Sequence, residues 1–87
     1  MTPSEMQDKV MEILEEHGDG DFGYAEVGLV SPTGESWYKE IWYNEDRTGL
    51  ETDIGNESIS LINYLERTKK KVVSVSTERL TVKTTNI

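Results

Sequence analysis

Eighty-seven residues with 34% hydrophobic and 30% charged content fit one domain, 1–87, with a limited core. The chain has no cysteine, which excludes disulfide frameworks, cysteine zinc sites and thiol catalysis. No apolar run approaches membrane-spanning length and Met1–Lys9 is polar, so no membrane segment or signal peptide is expected and the expected location is cytoplasmic. The net charge of −8 is unevenly spread: Met1–Glu57 holds fifteen acids against three bases, and Ser58–Ile87 holds six bases against two acids. Such polarity can steer a basic partner toward one side of a domain.

Thr2-Pro3-Ser4-Glu5 reads as a helix start, with Thr2 as the cap, Pro3 in the first turn and Glu5 closing a capping box. Met6, Val10, Ile13, Leu14 and His17 then recur as one apolar stripe, while Glu5, Asp8, Glu12, Glu15 and Glu16 fall largely off it. Gly18 is the expected C-cap. Gly18-Asp19-Gly20-Asp21 reads as an acidic turn, since a calcium loop counted from Asp19 would place its glutamate at Val30.

Tyr24–Val30 predicts a strand with Ala25, Val27 and Leu29 on one face. Ser31-Pro32-Thr33-Gly34 is turn chemistry. It leads into Ser36–Tyr43, which holds both tryptophans and two of the four tyrosines. This stretch predicts a strand with Trp37, Lys39, Ile41 and Tyr43 on one face and Tyr38, Glu40 and Trp42 on the other. Trp37 and Ile41 are the expected core side chains, leaving Tyr38 and Trp42 around Glu40 as a candidate contact patch. After the turn Asn44–Gly49, Leu50–Ile54 gives a third strand with Glu51 and Asp53 outward.

Asn56, or alternatively Ser58, is the expected cap of a second helix over Glu57–Lys70, packed through Leu61, Ile62 and Leu65. Its Arg67, Lys69, Lys70 and Lys71 match the negative end of the helix dipole. In Val72–Thr84, Val73 and Val75 hold one phase and Leu80 and Val82 the other, so a turn or bulge is expected near Thr77-Glu78-Arg79. The expected fold is α+β: an N-terminal helix, a three-stranded antiparallel meander, a second helix, and one or two C-terminal strands. Leu14, Val27, Ile41, Leu61 and Leu65 are the expected core.

One histidine and no phosphate-cradling glycine loop leave no constellation for nucleophilic or phosphoryl chemistry. The expectation is a protein that is not an enzyme and needs no metal or cofactor. Asn56-Glu57-Ser58-Ile59 and Leu80-Thr81-Val82-Lys83-Thr84, set in the order helix, meander, helix, resemble the small acidic anti-CRISPR proteins of phages. That resemblance implies a non-catalytic inhibitor that occupies a basic DNA-recognition surface of an RNA-guided nuclease. The aromatic strand and the basic C-terminal third depart from that pattern. The expected partner-binding residues are Glu35, Tyr38, Glu40, Trp42, Glu45, Asp46, Glu51 and Asp53, and the expected partner is a basic nucleic-acid-binding protein rather than nucleic acid or membrane. A generic interaction module, or a homodimer joined through strand 36–43, is the alternative.

Overall fold

A computed structural model describes residues 1–17, 25–78 and 81–84. Gly18, the acidic turn through Asp21, Tyr24, Arg79 and Leu80 lie outside the described residues. The elements follow the order α1 (Pro3–His17), β1 (Ala25–Val30), β2 (Ser36–Glu40), β3 (Trp42–Tyr43), β4 (Leu50–Ile54), β5 (Glu57–Ser60), α2 (Leu61–Thr68), β6 (Lys71–Thr77) and β7 (Thr81–Lys83). The class is α+β, with an N-terminal helix and antiparallel sheets.

Helix α1 starts where its capping box dictates. The Thr2 N–H donates to Glu5 Oε1 at 2.9 Å, and the Glu5 N–H donates to Thr2 Oγ1 at 3.1 Å. Its Met6, Val10, Ile13 and Leu14 are buried. These residues and the buried faces of β1, β6 and α2 form one core that includes Val27, Ile41, Leu61 and Leu65. Leu14, Val27, Ile41, Leu61 and Leu65 are all there as expected, whereas Trp37, also expected in the core, is exposed.

The expected meander is divided between two sheets. One has four strands in the order β2-β1-β6-β7, and the other has three in the order β3-β4-β5. The division falls at Ile41, which leaves strand geometry between β2 and β3 and drops its side chain into the core at 2% exposure. The stretch 36–43 is thus two strands, with β2 beside β1 and β3 beside β4.

The second helix begins later than its expected start. Gly55-Asn56 is a two-residue hairpin loop between paired Ile54 and Glu57. Gly55 has φ +60°, the positive first position that a II′ hairpin assigns to glycine. Residues 57–60 therefore continue as β5 against β4, and the cap is Ser60, whose side chain accepts from the Asn63 N–H at 3.1 Å. Lys69 ends α2 in the left-handed region, its N–H bonded to the Leu65 carbonyl.

At the C-terminal side the expected reversal is a hairpin, β6 against β7. Val73 does not share a phase with Val75. The pairing of β6 with β1 shifts register at Gly28 and Leu29, so Val72 and Val75 both point inward while Val73 is exposed. A bulge of this kind adds one residue to one strand. The carbonyls beside it are satisfied by Thr84, whose N–H reaches Val73 O at 2.9 Å and whose Oγ1 reaches Val72 O at 3.2 Å.

Candidate functional site

The largest correction concerns Trp37. It faces the core side, opposite Leu29, yet it is 46% exposed. Strand β2 is one edge of its sheet, and what lies over the indole is Lys70, whose Nζ sits 4.2 Å from the ring centroid. That ammonium also donates to the Tyr64 hydroxyl at 2.8 Å. Lys39, on the same face, lies 5.5 Å from the Tyr64 ring centroid and 3.3 Å from Asp53 Oδ1. A cation held between aromatic rings gains from their negative faces, so Trp37 is braced on one side while remaining open to contact.

The residues singled out from the sequence do not form one patch. Tyr38 is 66% exposed on the opposite face of β2, alongside Gly28 and Ser74. A Cβ on Gly28 would collide with the Ser74 hydroxyl, which is why this row of the sheet carries no side chain there. Glu40 lies on the same outer face, opposite Glu26. Glu35 sits at the far end of β2, in the turn, where Thr33 Oγ1 donates to it at 2.8 Å. Trp42 is half-buried, and its indole N–H is directed to Glu51 Oε1 at 3.2 Å. Asp53 is drawn to Lys39.

Glu45 and Asp46 are exposed on the turn between β3 and β4, and that turn is tightly built. Asn44 Oδ1 accepts from the Thr48 and Gly49 N–H groups at 2.9 and 3.2 Å. Asp46 Oδ1 accepts the Thr48 hydroxyl at 2.7 Å, and these bonds from Thr48 hold its carboxyl below the ordinary aspartate range. The Arg47 guanidinium lies over the Tyr43 ring at 4.5 Å.

Helix α1 brings acids that the strand-based selection omitted. Glu5, Asp8, Glu12, Glu15 and Glu16 are all exposed. At 3.6 residues per turn they share one face, opposite the buried stripe. The Leu50 N–H donates to Gln7 Oε1 at 2.9 Å, a buried bond that fastens α1 to the start of β4, at the end of the 44–49 turn. The Glu15 charge, second to burial, raises the Tyr43 hydroxyl pKa. Helix α1 thus lies against the base of the turn that carries Glu45 and Asp46. The signal for this was present in the sequence as the polar side of the α1 periodicity; the missing information was which strand turn lies beside it.

Among the described residues, no group of three or more His, Asp or Glu side chains could hold a metal ion, and no helix is long and apolar enough to cross a membrane. His17 is exposed at the end of α1, 3.7 Å from Glu16. No protein-family model matches the chain, and neither curated proteins nor solved structures gave a match. The anti-CRISPR resemblance rests on the quoted residues alone.

Proposed function

We propose that this chain is a non-catalytic acidic inhibitor that occupies a basic nucleic-acid-binding surface of a partner protein. The observation that carries the reading is the carboxylate row of α1. Its five acids from Glu5 to Glu16 span about 16 Å at ~1.5 Å per residue, close to one charge per ~4 Å, against one phosphate per ~3.4 Å along a DNA strand. Glu45 and Asp46 extend that surface. Carboxylates so spaced can take charge-assisted bonds from arginines and lysines that otherwise hold phosphates. An RNA-guided nuclease in the cytoplasm of a phage-infected bacterium is a partner of this chemistry.

The test is competition. Binding of duplex DNA to such a nuclease complex is followed while the protein is titrated in. The parent should displace DNA, less well as salt rises. A variant combining Asp8→Asn, Glu12→Gln, Glu15→Gln, Glu16→Gln, Glu45→Gln and Asp46→Asn should lose at least about tenfold in potency. Equal potency of that variant at low salt would overturn the reading.

A second reading is favoured by a separate observation. Trp37 and Tyr38, 46% and 66% exposed, stand on opposite faces of an edge strand, and exposed aromatics of this kind serve as anchors in interfaces. Under this reading the chain is an interaction module that works through β2.

A further inference from the structure

The backbone of β2 has one open side. The Ile41 N–H donates to Ala25 O at 3.0 Å, and the Ser31 N–H donates to Glu35 O at 2.8 Å. Antiparallel pairing alternates which residues turn their backbone groups to the neighbour. The odd-numbered residues from Glu35 to Ile41 therefore bond toward β1, and Ser36, Tyr38 and Glu40 direct theirs away from the sheet. At Glu40 that direction is filled, since Thr52 Oγ1 donates to the Glu40 carbonyl at 2.8 Å. The open edge is Ser36–Tyr38, flanked by the two exposed aromatics.

The geometry points to a second copy of the chain as the occupant of this edge, paired antiparallel across a two-fold axis at Trp37. This rests on the second reading above, in which β2 is the contact element. The register follows by elimination. An axis at Lys39 or Glu40 would set like charges directly opposite each other, which destabilises a strand pair. An axis at Tyr38 requires the Glu40 backbone, which Thr52 already engages. An axis at Ser36 pairs only one outward-facing residue.

An axis at Trp37 has none of these faults. Each Ser36 meets the partner's Tyr38, and both residues exchange N–H···O bonds. Trp37 meets the partner's Trp37 at a non-hydrogen-bonded site, where Cα atoms approach within about 4.5 Å and aromatic pairs stabilise the ladder. Glu35 falls opposite the partner's Lys39, so the charges that approach are of opposite sign. A closed two-fold pair also leaves no growing edge on that side.

Sedimentation equilibrium from micromolar to millimolar protein, joined with far-ultraviolet circular dichroism, tests the proposal. The parent should form a concentration-dependent dimer with an exciton couplet from the paired indoles that grows with the dimer fraction. Salt should strengthen the dimer, because two copies of charge −8 repel at a distance. Tyr38→Pro removes an outward N–H without breaking a bond to β1, and proline is tolerated on edge strands; dimerisation should weaken at least about tenfold with those bonds gone. Trp37→Lys should do the same by opposing two ammonium groups, and it remains informative if Tyr38→Pro fails to fold. A chain that stays monomeric throughout overturns the proposal, as does a dimer unaffected by either substitution or one lacking the couplet. If the chain is monomeric yet Trp37→Lys abolishes capture of a protein partner, the module reading stands and the second-copy proposal falls.

Discussion

Helix α1 and strand β2 each expose a full set of side chains, for different reasons. In α1 the exposed face is the polar side of the helix's own periodicity, so the sequence that forms the helix also decides what faces water. In β2 the exposed residues include a tryptophan and a tyrosine. Their exposure comes from the strand's place at the rim of the four-stranded sheet. Local pattern governs the first case and topology the second.

The largest expected effect comes from setting the two halves of the aromatic stretch against each other. Ile41→Ala removes a side chain buried to 2% exposure and should cost about 2–5 kcal/mol in urea denaturation. Trp37→Ala removes a larger side chain that is half open to water, and should cost less than half as much. If the tryptophan proves the more expensive loss, the rim position does not govern its energetics.

Gln7 ties the acidic helix to the start of β4, just past the acidic turn, and its removal tests how firmly the two are held together. Gln7→Ala leaves the buried Leu50 N–H without its acceptor. The expected loss is about 1–3 kcal/mol, read as a lower urea midpoint with an unchanged slope. Gln7→Glu keeps an acceptor at that position and should recover part of the loss near neutral pH.

Neutralising Asp8, Glu12, Glu15 and Glu16 together is expected to leave stability within about 1 kcal/mol of the parent, because these side chains are exposed. Glu15 and Glu16 sit at the negative end of the α1 dipole, so the sign should be slightly stabilising. A large loss would mean that the carboxylates hold the fold together rather than face a partner.

Much of the fold was legible. The Thr2–Glu5 capping box, the α1 stripe from Met6 to Leu14 and the alternation of β1 depend on neighbours in sequence, and the structure repeats them, while His17, expected on the stripe, is exposed. The errors came where two local signals competed. Gly55-Asn56 serves equally as the end of a sheet with a helix cap or as a hairpin turn, and pairing of β5 with β4 selected the turn. Ser36–Tyr43 carries no glycine or proline to mark the break at Ile41. Only the demands of two sheets on one core place it there. For the candidate surfaces, the exposure of Glu45 and Asp46 followed from turn chemistry. The packing of α1 against the base of that turn, and the bracing of Trp37 by Lys70, depend on contacts between distant segments that a linear pattern does not carry.

The smallest effect tests whether the turn that carries Glu45 and Asp46 is held by its own hydrogen bonds. Asp46 accepts the hydroxyl of Thr48, with a longer bond from its N–H, and both favour the ionised carboxylate. Its folded pKa is therefore below the unfolded value. For a depressed carboxylate the associated stability is present above the unfolded pKa and is lost as pH falls through the folded one. Between neutral pH and the ordinary aspartate range the turn should hold its shape, and protonation should loosen it only below that range. Thr48→Val removes the hydroxyl donor while keeping a β-branched side chain. It should move the Asp46 carboxyl titration, followed by NMR, upward toward the ordinary aspartate value. If Asp46 titrates identically in both proteins, the turn is not held by this bond, and its carboxylates are not fixed in place for a partner.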